Sequence, residues 1–181
     1  MEENNNIEFS ADALALAKKL MGRYPEGKHK SAIIPILHLA QAEFGGWLSP
    51  KSMDYVATLM SIQPIEVYEV ASFYSMFNLQ PVGKCVIEVC RTGPCWLMGA
   101  EDIVNHIESK LNIKVGETTS DGMFTLKTVE CLAACGGAPM MQIAEKYHED
   151  LTFTKVDTIL DDYKNNINAP ITHWRKDKIK P

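Results

Sequence analysis

Two close pairs of cysteines constrain this chain more than any other feature. Cys90 and Cys95 form C-x4-C within VCRTGPCWLMG, and Cys131 and Cys135 form C-x3-C within VECLAACGGAPMM. These are four of the five cysteines, and residues 96–130 separate the two pairs. Thiolates are soft anionic ligands, and four of them favour zinc or an iron–sulfur cluster. A fold that uses all four must bring two distant loops to one place. Gly93 lies inside the first pair, and Gly136 and Gly137 follow the second. Glycine lets the backbone turn and lets amide N–H groups come close, and anionic sulfur needs such donors.

The spacing leaves the metal open. C-x4-C falls within the range of structural zinc knuckles. Plant-type ferredoxins also begin C-x4-C, but their third cysteine follows two residues later, and here it does not. A third reading is two disulfides or unlinked core thiols. The start, MEENNNIEFS, is acidic and polar, so neither a signal peptide nor a transit peptide is expected. Without export the thiols stay reduced, which weakens the disulfide reading. The net charge of −5 argues against a nucleic-acid partner. No apolar run reaches the roughly 18 residues of a membrane span, so direct membrane insertion is not expected.

The N-terminal part reads as helical. Residues 1 to about 9 read as a tail, and Ser10 caps a helix over ADALALAKKLM that stops at Gly22. RYPEGKHK is a turn-rich linker. A second helix, over SAIIPILHLAQAEFGG, takes Ser31 as its cap; Ile33, Leu37, Ala40 and Phe44 form one apolar face. Ser49-Pro50 starts a third helix to about Met60, and Gln63-Pro64 a fourth to about Tyr74. Val67, Val70, Ala71 and Tyr74 form a stripe expected in the core, part of it available to a partner.

From Lys84 the texture changes. KCVIEVC reads as a strand. WLMGAEDIVNHIESKL reads as one helix, with Leu97, Ala100, Val104, Ile107 and Leu111 along one face. FTLKTVEC and APMMQIA read as strands, KYHEDL as a turn or edge, and Thr152 as the cap of a last helix, about 154–165. The order points to a thioredoxin-like, half-parallel sheet. The first cysteine pair then bridges a strand end and a helix start, and the second lies in a loop between strands. The fold class is α/β: an N-terminal four-helix unit in residues 1–80, a thioredoxin-like domain in 81–166, and a basic C-terminal extension in 167–181.

The stretches LHLAQAEFGGWLSP, VYEVASFYSMFNLQPVGK, VCRTGPCWLMGAED, TSDGMFTLKTVECLAACGGAPMMQI and EDLT carry a resemblance. Together they resemble the small thioredoxin-like [2Fe-2S] subunit of the NADH dehydrogenase module of complex I, NADH:quinone oxidoreductase. The resemblance covers about residues 33–160. It implies a thioredoxin-like ferredoxin domain in which Cys90, Cys95, Cys131 and Cys135 ligate one [2Fe-2S] cluster. It implies an electron-transfer role beside a flavoprotein subunit that binds FMN and NADH, and beside other peripheral-arm iron–sulfur subunits. It also implies a peripheral place on the cytoplasmic side of the inner membrane. Close relatives serve NAD-linked hydrogenases and formate dehydrogenases, which would be soluble and cytoplasmic; the motifs do not separate these cases. Two residues depart from the family pattern: Ala133 stands where Gly is usual, and Arg91 where a small polar residue is usual. Arg91 follows a ligand position directly, so it either tunes the centre or is a solvated surface residue or the donor of a partner-facing salt bridge.

Two further classes remain. One is a structural zinc module built on four cysteines. The other is a thiol-exchange oxidoreductase, which the x4 spacing disfavours because that chemistry uses C-x-x-C. No G-x-G-x-x-G follows a strand, so neither a nucleotide site nor a catalytic residue is expected in this chain. Cys85 stands five residues before Cys90, on the opposite strand face, and reads as a packed structural thiol. His38 reads as a satisfied core or interface histidine rather than a ligand, and His106 and His148 as solvated. Met98, Met123, Met140 and Met141 read as core filler.

Overall fold

The helix starts follow from short polar side chains placed before apolar runs. The computed structural model describes residues 7–165, so the expected extension at 167–181 lies outside the described residues. The chain divides into two compact units, one ending at Pro81 and the next beginning at Val82.

The first unit holds α1 (Ala11–Met21), α2 (Ile33–Glu43), α3 (Pro50–Met60) and α4 (Pro64–Phe73). The Ser10 hydroxyl accepts from the Ala13 N–H at 3.4 Å, and the Ser49 hydroxyl from the Ser52 N–H at 3.1 Å. Pro50 and Pro64 open their helices where a missing N–H costs nothing. The Glu66 carboxylate reaches back to accept the Gln63 N–H at 2.8 Å.

The second helix departs from expectation. A 3-10 turn, His29–Ala32, leads into it, and Ala32 rather than Ser31 precedes its first turn. Its apolar surface is not one face: Ile33, Ile36, Leu37, Leu39 and Ala40 are all buried, with His38 and Gln41. The reason is position, since α1, α3 and α4 all pack on α2. The buried polar groups are satisfied. The Gln41 side chain donates to the Met76 carbonyl at 3.2 Å and accepts from the Asn78 N–H at 2.7 Å. The His38 ring packs on Phe77 with centroids 4.9 Å apart. The polar tail also ends earlier than expected. Phe9 is buried against Phe44 and Tyr55, and its N–H donates to the Tyr55 hydroxyl at 3.1 Å. Tyr74, expected in the core, is exposed because α4 has already ended at Phe73.

In the second unit β1 (Cys85–Cys90), β2 (Phe124–Val129), β3 (Met141–Ile143) and β4 (Lys146–His148) form one sheet in the order β2-β1-β3-β4. β1 pairs parallel with β2 and antiparallel with β3, and β3 pairs antiparallel with β4. All six residues of β1 are buried, as a central strand covered on both faces requires. Side-chain parity splits it. Cys85, Ile87 and Val89 join a core with Ile103, Ile107, Phe124, Leu126, Val156 and Leu160. Cys90 joins a second cluster with Cys95, Ala100, Ala138 and Met140.

The segment expected as one helix is two, α5 (Gly93–Leu97) and α6 (Ala100–Leu111). Gly99, at φ +87°, turns the chain between them. Leu97 and Met98 therefore leave the apolar face of α6 and stand exposed instead of filling the core. The strand expected over APMMQIA pairs only at 141–143, since Pro139 has no N–H to give the ladder. The last helix, α7 (Phe153–Asn165), starts with the Thr152 hydroxyl accepting from the Lys155 N–H at 3.2 Å.

Both histidines expected in solvent prove to be packed. His106 lies against α7: its Nε2–H donates to Asp157 at 2.8 Å and its ring stacks on Phe153 at 4.6 Å. His148 is buried beside Tyr163, and its Nε2 has no hydrogen-bond partner among the described residues. Burial first, and then the charges of Lys146 and Lys155, push its pKa down to about 4. The folded state thus favours the neutral ring. Its contribution is complete above the unfolded pKa of 6.5 and is lost as pH falls toward 4. The gap corresponds to about 3 kcal/mol. Urea unfolding at pH 7 and near pH 4 should show wild type losing about that much more stability than His148→Leu; equal losses would show that the ring does not resist protonation.

Candidate metal centre

The sheet topology alone brings the two cysteine pairs together. Parallel strands end on the same side, and Cys90 at the end of β1 is in register with Val129 at the end of β2. Cys131 follows β2 by two residues. β3 runs back, with Met141 opposite Val89, so the loop carrying Cys135 also lies at that end. Cys95 returns from α5, whose short turn is closed by the Cys95 N–H donating to the Thr92 carbonyl at 3.0 Å.

The four thiols are neighbours. Cys131 Sγ and Cys135 Sγ are 4.0 Å apart. Two thiolates on one tetrahedral metal, with bonds of about 2.3 Å, stand about 3.8 Å apart. Cys90 and Cys95 share a hydrogen bond, and the charge of Cys135 is felt at Cys95. Cys90 and Cys95 are buried; Cys131 and Cys135 are exposed. Among the described residues no three His, Cys, Asp or Glu side chains are gathered as for one ion. The thiols stand as two pairs.

Backbone donors surround them. The N–H groups of Thr92 and Leu132 bond to Cys90, and that of Met140 to Cys95. The Ala133 N–H donates to Cys131 Sγ at 3.4 Å. Ala133 takes φ +59°, the left-handed region that favours glycine. The Tyr147 hydroxyl donates to the Leu132 carbonyl at 2.9 Å and ties this loop to β4.

The titration pattern fits a site built for positive charge. Burial raises Cys90, but the Thr92 and Leu132 N–H groups and the Thr92 hydroxyl outweigh it and leave the thiol below its ordinary pKa. Cys95 is pushed up to about 11 by burial and by Cys90. Cys135 is raised by its hydrogen bond to Cys131 and by that neighbour's charge. Four thiolates this close repel one another, and bound metal cations offset the repulsion. The donor set therefore fits a sulfur-ligated metal group.

Cys85 stands apart in the other core cluster, where burial pushes it up to about 11. Arg91 makes an ion pair within the chain, Nη2 to Glu101 Oε2 at 2.9 Å. Glu101 offsets its charge, and the pair is half exposed, so little of the guanidinium's field is left to tune a neighbouring group. A cavity of about 680 Å³ lies at the opposite end of β2, around Phe124, and shares no residue with the cysteines. Sequence reasoning missed the donors on Leu132 and Met140 and the role of Tyr147. Only the glycines around the cysteines signalled them.

Known proteins resemble this chain to different extents. The model of the thioredoxin-like [2Fe-2S] ferredoxin family matches residues 17–164. An NADH-quinone oxidoreductase subunit of Rickettsia felis is 47% identical over 163 residues, covering 90% of this chain and 98% of that protein. The mitochondrial NADH dehydrogenase [ubiquinone] flavoprotein 2 of Dictyostelium discoideum is 46% identical over 168 residues, covering 91% and 68%. Among solved structures, an air-oxidised NAD+-reducing [NiFe]-hydrogenase shares the fold with a TM-score of 0.66 at 21% identity. The match covers 82% of this chain and 25% of that one.

Proposed function

The chain belongs to the thioredoxin-like [2Fe-2S] ferredoxin family, and from that premise we propose that Cys90, Cys95, Cys131 and Cys135 hold one [2Fe-2S] cluster. The chain is the electron-transfer subunit of an NADH:quinone oxidoreductase, as its near full-length likeness to the Rickettsia felis protein supports. The observation that carries the ligand assignment is the arrival of both cysteine pairs at the common end of β1 and β2. A bound [2Fe-2S] cluster supplies reversible one-electron redox chemistry. The protein's own work is to hold it. Cys90 and Cys95 form a buried floor, and Cys131 and Cys135 an exposed side. The N–H groups of Thr92, Leu132, Ala133 and Met140 stabilise anionic sulfur.

The chain makes and breaks no substrate bonds. NADH and FMN bind a partner flavoprotein subunit, and other peripheral-arm iron–sulfur subunits complete the route. The assembly sits peripherally on the cytoplasmic side of the inner membrane. No described helix is long and apolar enough to cross a membrane. The hydrogenase likeness, at 21% identity, speaks for the fold alone.

Anaerobically purified protein is expected to carry about two irons and two acid-labile sulfides per chain. NADH should bleach its visible absorbance only after the flavoprotein subunit is added. Stoichiometric zinc without iron after reconstitution, or NADH oxidation by this chain alone, would overturn the reading.

A further inference from the structure

The peptide between Leu132 and Ala133 carries a hydrogen bond at each end. Its carbonyl oxygen accepts from the Tyr147 hydroxyl at 2.9 Å, and its N–H donates to Cys131 Sγ at 3.4 Å. One planar amide thus joins the phenol to a sulfur assigned above to the cluster. Amide resonance couples the two ends. A donor on the oxygen draws electrons from the nitrogen and makes the N–H a stronger donor. Bonds linked in this way strengthen one another by about 10–30%.

The fold places the phenol here. β4 is the edge strand, with Tyr147 in register with Gln142 of β3, and Gln142 in register with Glu88 of β1. Residues in register share a sheet face, and Cys90, two residues on from Glu88, shares it too. The neighbour His148 goes to the opposite face, beside Tyr163 of α7. Tyr147 therefore stands on the cysteine side of the sheet, while its backbone belongs to a ladder outside both cysteine loops. Ala133, at φ +59°, turns its N–H back to the sulfur two residues earlier. The N–H of Leu132 itself bonds to Cys90. Holding Leu132 thus steadies a donor to one thiol of each pair.

We propose that Tyr147 is a positioning residue for electron transfer: through the Leu132–Ala133 peptide it strengthens the hydrogen bond on Cys131 and so raises the affinity of the metal centre for an electron. This deepens the electron-transfer reading above and rests on it. An added electron brings negative charge to the sulfur ligands without making or breaking a bond, and N–H donors stabilise that charge. Loss of the phenol hydroxyl weakens the donor and favours the oxidised form. A tether with no electronic role would hold the loop and leave this balance unchanged.

The test compares cluster-loaded chains by redox titration followed by EPR. Tyr147→Phe keeps the ring and removes only the hydroxyl. The residue is 46% exposed, so the change leaves no buried void, and iron content and visible spectrum should remain. At a fixed ambient potential its reduced-to-oxidised ratio should fall at least about threefold, which lowers the midpoint by about 30 mV for one electron. A second chain carries fluorotyrosine at position 147 alone and is held below the pKa of that phenol. It keeps the hydroxyl and its tether but donates more strongly, so its ratio should rise. Both shifts are required. No shift in either chain, or shifts in one direction, overturns the proposal. Where Tyr147→Phe holds no iron, the fluorotyrosine chain decides alone: a raised ratio upholds the proposal, and an unchanged or lowered one overturns it. A wild-type chain that takes up no iron and sulfide overturns instead the cluster reading.

Discussion

Replacing Cys90, Cys95, Cys131 or Cys135 by alanine, one at a time, is expected to abolish the native cluster in every case, while Cys85→Ala keeps it. A cluster with four protein thiolates has no spare ligand, so losing one opens an iron to water. The two pairs should fail differently. Cys90 and Cys95 sit in a packed cluster with Ala100, Ala138 and Met140, so their removal also leaves a small void. That adds about 1 kcal/mol of destabilisation. Cys131 and Cys135 are exposed, so their variants should lose iron with little further loss of stability. Cys85 points into the core on the other face of β1 and lies outside the sulfur cluster. Iron content, visible absorbance and thermal unfolding of the five variants separate these outcomes. Iron loss in Cys85→Ala with retention in one of the other four would show the assignment to be wrong.

Gly137→Ala should be nearly as damaging, though it touches no sulfur. A Cβ there would stand 2.5 Å from Glu149 Cβ and 2.8 Å from its Cγ and Cδ. The backbone has little room to retreat. The Gly137 N–H donates to the Ala134 carbonyl at 3.1 Å, and the Gly137 carbonyl accepts from the Asp150 N–H at 2.7 Å. Relieving the overlap means moving the loop that carries Cys135 or the turn after β4. Overpacking of this kind costs about 1–3 kcal/mol, and iron should be released to a chelator faster. Glu149→Gly removes the opposing atoms, so the double variant should recover most of the lost Tm and iron retention. An unperturbed Gly137→Ala, or no recovery in the double variant, would refute this account.

The sequence was most legible where physics is local. Ser10, Ser49 with Pro50, and Thr152 cap or open helices because their side chains serve N–H groups a turn away. Strand parity separated Cys85 from Cys90 because alternation needs no knowledge of neighbours. The failures lie where neighbours decide. Nothing in IIPILHLAQAE says that three helices surround it, so its second face was missed. The periodicity of WLMGAEDIVNHIESKL ran straight through Gly99, although a left-handed glycine ends one helix and frees Leu97 and Met98. His106 and His148 were misplaced because Asp157, Phe153 and Tyr163 lie on a distant helix. At the metal centre the thiols and glycines were readable. The donors on Leu132 and Met140 were not, because they reach across from the other cysteine loop and from beside β3.

The parallel pairing of β1 with β2 also sets an order in time. A hairpin could close its site within a few residues, but a parallel pair waits for its crossover helix. On the ribosome the chain emerges from its N-terminus. When Cys90 and Cys95 are out, Cys131 and Cys135 have not been made. The partner strand for β1 comes late, and the turn bearing Cys135 later still. A metal that arrives early meets two thiols rather than four, and the complete site belongs to a chain whose synthesis has passed β3.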